Sequence, residues 1–333
     1  TNKINITSKT TKTNQIFPVT KIDVSISDDI ISLYNDGNGI DVSMHPEYNI
    51  WIPELIFGHL RTSTNYDKSE KKIVGGKNGF GFKLVLIWST WGQIETVDSK
   101  TGQKYIQTFK NNLDIIEPPI ITKSQSKPYT IVKFKPDFKR FGIDGLSDDF
   151  KSLILRRIYD IAAVTNKSVN VTFNSNKLKP EVKNFQNYID LYIGSKTDTE
   201  RVYEEANERW EYAVCLAPND EFSQVSFVNG IFTSKGGKHV DYIMNQIIKK
   251  LTIYIKEKKH IDVKPASIKE QLMIFVNSTI ENPAFDSQTK DYLNSAVSNF
   301  GSTCEVSSKF IEKIAKMGIM NIACSLTELK ENK

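Results

Sequence analysis

The stretch GGKNGFGFK, residues 75–83, places four glycines in nine positions with Lys77, Asn78 and Lys83 among them. Glycine adopts positive φ without steric cost and lets a backbone approach a ligand closely. A loop of this composition can aim several N–H groups at one anion, and a phosphate suits such a nest. The same composition also suits an ordinary surface turn. Three further stretches offer complementary chemistry. In NDGNG (35–39) a carboxamide and a carboxylate precede two glycines spaced by one residue, a pattern able to read an exocyclic amine, or simply a turn. TSTNYD (62–67) supplies hydroxyls and an amide that could bond ribose or phosphate oxygens, or could be a polar loop. Lys290, in QTK, could reach a terminal phosphate as a point charge or stay solvated.

The elements that must position these groups follow from periodicity. VTKIDVSIS (19–27) and IISLYN (30–35) alternate around Asp28–Asp29, a hairpin whose second strand runs directly into NDGNG. A short amphipathic helix is expected over 51–60, and FKLVLIWST (82–90) is expected to open as a helix against the glycine loop. Strands are expected at 93–110 around a turn at 99–102, then at 129–137 and 168–174. Between the last two lies a helix with Ser147 as N-cap and Asp148 and Asp149 in its first turn. Its expected apolar face is Phe150, Leu153, Ile154, Ile158, Ile161 and Ala162. The chain turns polar over 190–208, where a domain boundary is expected. Beyond it come strands at 209–217 and 224–230. A long helix follows, faced by Val240, Ile243, Met244, Ile247, Ile248, Leu251 and Ile255, and then a strand at 273–280. The basic run KEKKH (256–260) ends that helix, where cations complement the dipole.

Bulk properties narrow the classes. The 333 residues suffice for about two domains. With 39% apolar and 25% charged residues the composition is that of a globular chain, and no apolar run is long enough to span a bilayer. A net charge of +5 is too mild to argue for nucleic acid alone. Cys215, Cys304 and Cys324 form no CxxC pair and no disulfide framework, which suits a reducing compartment.

Read in order, NDGNGI, LIFGHLRTSTNYD, KKIVGGKNGFGFKL, YTIVKFKPD, SFVNGIFTSKGGKHVDYI, FVNSTIENPAFDSQTK and FGSTCEVSSKFI resemble the N-terminal ATPase region of eukaryotic-type DNA topoisomerase II, from about residue 30 to 320. The resemblance implies an α/β (α+β) architecture. A GHKL-type nucleotide-binding sandwich would span 1–205, and a transducer domain with a left-handed βαβ crossover would span 206–333. It implies ATP and Mg²⁺ as cofactors, with Asn35 reading adenine and Ser63, Thr64 and Asn65 contacting ribose and phosphate. Gly76, Lys77, Asn78, Gly79, Phe80, Gly81, Phe82 and Lys83 would form a lid over the triphosphate. Gln288, Thr289 and Lys290 would form a loop in which Gln288 and Lys290 act on the γ-phosphate. No residue of the chain is assigned to the metal.

The resemblance further implies double-stranded DNA as a partner, contacted by Lys256, Lys258 and Lys259, and a homodimer formed through the ATP-operated gate, with no membrane. The nucleus, or the compartment where a large DNA virus replicates, is the expected location. Three departures stand out. Phe82 occupies a position where the family commonly has Ala, and Lys77 one where Arg is common. The general-base Glu and the metal-holding Asn of the family's catalytic helix have no counterpart here. Upstream of Asn35 the only acids are Asp23, Asp28 and Asp29. The base is therefore expected in a segment outside this chain. The alternative is a non-catalytic nucleotide-binding or structural clamp module.

Overall fold

The computed structural model describes residues 16–60, 72–76 and 79–331. They fall into two compact units, one built from residues 16–60, 79–162 and 166–181, the other from 72–76, 163–165 and 182–331. The division near 181 lies upstream of the expected boundary at 205. The reason is the helix α5 (Phe185–Ile193): its Phe185 and Tyr188 pack edge-on against Phe227 of the second unit, at 6.1 and 5.5 Å between ring centroids.

The first unit is a largely antiparallel sheet carrying short helices. Its strands are β1 (Lys21–Ser27), β2 (Ile30–Asp36), β3 (Ser89–Val97), β4 (Gln103–Lys110), β5 (Ile115–Ile116), β6 (Ile120–Lys123), β7 (Tyr129–Pro136), β8 (Asn170–Phe173) and β9 (Asn176–Lys177). They run in the order β5-β4-β3-β7-β2-β1-β8-β9, with β6 also on β4. The hairpin β1–β2 forms as its alternation requires, with Asp28 and Asp29 both at positive φ in the two-residue turn. The helices are α1 (Ile52–Gly58), α2 (Gly81–Ile87), α3 (Phe138–Phe141) and α4 (Asp148–Val164). Ser147 caps α4, its hydroxyl accepting from the Phe150 N–H at 3.2 Å. Of the expected α4 face, Ile158 and Ala162 are buried, whereas Phe150 and Leu153 are exposed. Ile154 packs against the cluster of Ile31, Phe138 and Leu146, so only Phe150 and Leu153 of the expected face are left to solvent. Phe57, Leu86, Ile94, Phe109 and Val132 form a core in this unit.

The second unit is a five-stranded sheet covered by helices. Its strands are β10 (Val202–Asn207), β11 (Trp210–Leu216), β12 (Ser223–Val228), β13 (Ile231–Phe232) and β14 (Leu272–Ser278), in the order β10-β11-β14-β12-β13. Strands β12 and β14 pair in parallel, so the chain between them must cross over. That crossover is α6 (Lys238–Lys259) followed by α7 (Pro265–Lys269). All seven expected apolar residues of α6 are buried, each fully buried aliphatic chain contributing about 1.5–3 kcal/mol. The chain ends in α8 (Ser308–Ile314) and α9 (Met320–Glu331), joined by a wide turn of helix over Ala315–Ile319 where Gly318 has φ 118°. The three cysteines are buried and free of disulfides, and among the described residues no helix is long and apolar enough to cross a membrane.

Candidate functional site

In the first unit the groups converge where β2 ends. Asn35 lies opposite Ile22 of β1 and Thr130 of β7. Its carboxamide Nδ2 donates to the Asp36 carbonyl at 2.8 Å, leaving Oδ1 without a hydrogen bond among the described residues. An acceptor held in this way suits an amine donor. The Asp36 carboxylate is committed to the fold. Its Oδ1 accepts from the N–H of Thr20 at 2.7 Å and of Lys21 at 2.8 Å, and its Oδ2 from the Thr20 hydroxyl. Burial alone would raise the Asp36 carboxyl, but these hydrogen bonds outweigh it and hold the group below its ordinary value.

The glycines that follow bring the chain down onto β3. A Cβ on Gly39, whose φ is 70°, would lie 2.0 Å from the Val97 carbonyl oxygen. Close backbone contact therefore requires glycine there. The Ile40 N–H donates to the Thr96 hydroxyl at 3.0 Å and the Val42 N–H to Asp98 Oδ2 at 3.1 Å. Thr96 and Thr130 hydroxyls meet at 3.0 Å, buried between β3 and β7. Neither Thr96, Asp98 nor Thr130 was singled out by the sequence. They are two ordinary strand threonines and a turn aspartate, and only strand register brings them to the NDGNG segment.

The glycine loop is described in two pieces, with Lys77 and Asn78 outside the described residues, as are Ser63, Thr64 and Asn65. Gly79 has φ 63°, and a Cβ on Gly76 or Gly81 would meet nothing within 4 Å. Their side-chain-free backbone is thus not demanded by packing. Phe80 precedes α2 as its N-cap residue. Phe82 packs edge-on against Phe57 (5.2 Å between centroids) and Phe134 (6.1 Å). The aromatic ring that departs from the family pattern is accommodated in the core. Lys83 is buried, and burial lowers its ammonium below its ordinary value.

In the second unit three motifs that are far apart in sequence are joined through the main chain. The Asn282 N–H donates to the Lys72 carbonyl at 2.8 Å, and Asn282 Oδ1 accepts from the Lys72 N–H at 3.3 Å. The residues leading into the glycine loop are thus tied to ENPAF. Downstream, Leu293 bridges both Gly237 and Phe285. Its N–H donates to the Gly236 carbonyl at 3.1 Å, and its carbonyl accepts from the Lys238 N–H at 2.9 Å. A Cβ on Gly237, at φ 142°, would fall 2.5 Å from the Leu293 nitrogen. SKGGK is therefore built to receive the strand-like end of the Lys290 loop.

Within that loop Lys290 has φ 60°, an uncommon conformation for a side chain of its size. The neighbours hold it there. Thr289 Oγ1 donates to Asp291 Oδ2 at 2.7 Å, and Ser234 Oγ donates to Asp291 Oδ1 at 3.0 Å. The Lys290 ammonium has no hydrogen bond or ion pair among the described residues. Partial burial lowers it below its ordinary value. A strained, partly desolvated and unpaired cation is poised for an external anion. Gln288 is exposed beside it.

Lys256, Lys258 and Lys259 occupy the last turn of α6, as the sequence places them. Lys256 pairs with Asp262 at 2.8 Å, and the Lys258 ammonium lies 6.0 Å from the centre of the Tyr254 ring. Among the described residues no group of three or more His, Cys, Asp or Glu could hold a metal ion.

A family profile described as DNA gyrase B matches residues 181–327. DNA topoisomerase 2 of Candida glabrata is 45% identical over 315 residues, which cover 89% of this chain and 22% of that protein. The chain thus spans about a fifth of the curated relatives it matches. The crystal structure of the ATPase region of Saccharomyces cerevisiae topoisomerase II is 44% identical with a TM-score of 0.86, over 93% of this chain and 80% of that one. The ATPase and transducer domains of DNA topoisomerase II from Balamuthia mandrillaris are 37% identical with a TM-score of 0.88, over 95% and 81%. The order of the motifs, the two compact units and this likeness along nearly the whole length agree: the chain belongs to the family of topoisomerase II ATPase regions.

Proposed function

We propose that this chain is the ATP-operated gate region of a type II DNA topoisomerase. ATP binding joins two copies and captures a DNA segment; hydrolysis resets the gate. The observation that carries this reading is the main-chain joining of the glycine-loop entry, SKGGK and the QTK loop within one compact unit. It makes the Lys290 loop mechanically continuous with a segment that would respond to nucleotide. Asn35 supports adenine recognition through its free Oδ1. Lys290 supports recognition of the γ-phosphate, a contact that ATP offers and ADP does not, so its making and breaking can report hydrolysis.

Taken each in its own unit, the Asn35 carboxamide suits an adenine amine and the Lys290 ammonium suits a terminal phosphate. When bound, Mg²⁺ would supply charge neutralisation of the phosphates. The chain's own groups orient the base, hold the lid entry and place one ammonium. Lys256, Lys258 and Lys259 are proposed to meet the DNA backbone, as a row of cations at a helix end suits.

Lys290→Ala in the complete enzyme tests the reading. ATP turnover is expected to fall by more than about tenfold, the order of one desolvated charge–phosphate contact. Turnover near that of the parent enzyme would overturn the assigned role.

A further inference from the structure

Lys290 and Asp291 are adjacent and opposite in charge, yet they form no ion pair among the described residues. The Asp291 carboxylate is turned to hydroxyls instead. Its Oδ2 accepts from the Thr289 hydroxyl at 2.7 Å, and its Oδ1 accepts from the Ser234 hydroxyl at 3.0 Å. Thr289 belongs to the same loop. Ser234 lies 57 residues earlier, in the turn between β13 and α6. The main chain repeats this link, since the Lys235 N–H donates to the Asp291 carbonyl at 2.9 Å. The Lys235 ammonium is largely exposed and 4.0 Å from Oδ2, so it adds little.

The Ser234 side of this link is backed by the sheet. Gln224 on β12 donates through Nε2 to the Ser234 carbonyl at 3.0 Å and to the Thr233 carbonyl at 3.3 Å. Its Oε1 accepts from the Ser226 hydroxyl at 2.6 Å. Thr233 is fully buried, and its hydroxyl donates to the Ser226 carbonyl at 3.0 Å. The other side is loop alone. The Lys290 N–H donates to the Ser287 carbonyl at 3.2 Å, and the Ser287 and Thr289 hydroxyls meet at 2.8 Å. The Asp291 carboxylate is therefore where a strand-backed turn grips the loop that carries Lys290 at φ 60°. Hydrogen bonds to a carboxylate are charge-assisted, so this grip is stronger than one between neutral groups. Released from Ser234, the carboxylate would be free to swing toward the adjacent ammonium.

We propose that Ser234 is a positioning residue for Lys290, acting through Asp291: its hydroxyl holds the carboxylate so that the ammonium stays placed and unpaired for a terminal phosphate. The proposal rests on the reading of Lys290 as the γ-phosphate contact. Ser234 carries no charge of its own, and its effect belongs to the one phosphate that distinguishes ATP from ADP. It thereby sets the preference for triphosphate over diphosphate.

Titration calorimetry of the complete enzyme, with a non-hydrolysable ATP analogue and separately with ADP, reads that preference. Ser234 is exposed, so Ser234→Ala leaves the core untouched. It should weaken the analogue about fivefold, the order of one hydrogen bond, and leave ADP unchanged. Asp291→Ala should weaken the analogue at least as much, and adding Ser234→Ala to it should change nothing further. Asp291→Asn keeps the shape and an acceptor for Ser234 and should bind the analogue as the parent does. In a Lys290→Ala background Ser234→Ala should have no effect. Equal weakening of both nucleotides by Ser234→Ala would make the residue merely structural and overturn the proposal. Unchanged analogue binding would overturn it too, as would a loss that persists without Lys290 or a loss in Asp291→Asn equal to that in Asp291→Ala. A parent-like ratio of analogue to ADP affinity in Lys290→Ala itself would instead remove the γ-phosphate reading, and this proposal with it.

Discussion

Asn282 and Lys72, 210 residues apart, exchange two hydrogen bonds, one through the Asn282 backbone and one through its side chain. Asn282 has φ 44°, a left-handed conformation that asparagine tolerates better than most residues. Alanine at 282 would lose the side-chain bond and meet the backbone penalty together. Asn282→Ala is expected to destabilise the chain by about 1–2 kcal/mol. In the complete enzyme it should raise the KM for ATP severalfold with a smaller change in kcat, because the lid entry is loosened rather than the chemistry removed. Thermal unfolding and steady-state ATPase measurements check both parts; unchanged KM would mean that this link does not govern nucleotide closure.

Gly237 is the second fixed point of the same assembly. Its Cβ-free approach to Leu293 holds the returning end of the Lys290 loop against the start of α6. Gly237→Ala places a methyl carbon against backbone atoms that cannot swing away, so the bridge must open. We expect a loss of about 2–4 kcal/mol in denaturant unfolding. Hydrogen exchange at Leu293 and Lys238 should accelerate while β1 and β2 are unaffected. Protection at Leu293 equal to that of the parent chain would contradict the bridge.

His239 gives a pH signature. It is fully buried in the first turn of α6, with Nε2 3.3 Å from the Thr233 hydroxyl. Burial pushes its pKa down to about 3. Between there and the unfolded value of about 6.5 the unfolded chain binds one proton more than the folded one. Stability therefore rises with pH across this window and is lost as pH falls. At pH 4.5 the loss attributable to this group is about 3 kcal/mol. Chemical denaturation of His239→Gln should show an acid slope shallower by one proton; an identical slope would show that the imidazole is protonated in the fold.

Much of the scaffold was legible because its periodicities are strong. Helix α6 carries seven apolar residues at helical spacing, and all seven are buried. The β1–β2 hairpin follows from alternation around two aspartates. Elements in the polar stretch were not read. Strand β10, VYEEAN, is an edge strand paired only with β11, so half of it faces water and its pattern is diluted. Helix α5 was legible in principle, since Phe185, Tyr188, Ile189 and Ile193 are helically spaced and buried. Missing it put the expected boundary downstream of the observed division.

For the candidate site, residue types were readable and their support was not. The Thr96–Thr130 contact depends on register between β3 and β7. The positive φ of Lys290 is imposed by its neighbours, against the local preference of lysine. Gly39 is explained by its approach to Val97, a contact no local pattern encodes.

The lysines ending α6 make a prediction about salt. If Lys256, Lys258 and Lys259 meet DNA phosphates, replacing all three with Ala removes up to three counterion-releasing contacts. The slope of log affinity against log salt should then flatten by up to about 2–3. Binding of duplex DNA measured across a salt series reads this directly. An unchanged slope would leave these lysines with only Asp262 and the helix dipole to serve.

The central claim is that the end of β2 recognises a nucleotide, and titration calorimetry with a non-hydrolysable ATP analogue and Mg²⁺ tests it most directly. The parent chain and Asn35→Ala would be compared, each shown to be folded by circular dichroism. The account predicts saturable binding near micromolar, about −8 kcal/mol, weakened at least about tenfold by loss of the Asn35 carboxamide. No binding to the folded parent chain, or equal binding by both proteins, would contradict it.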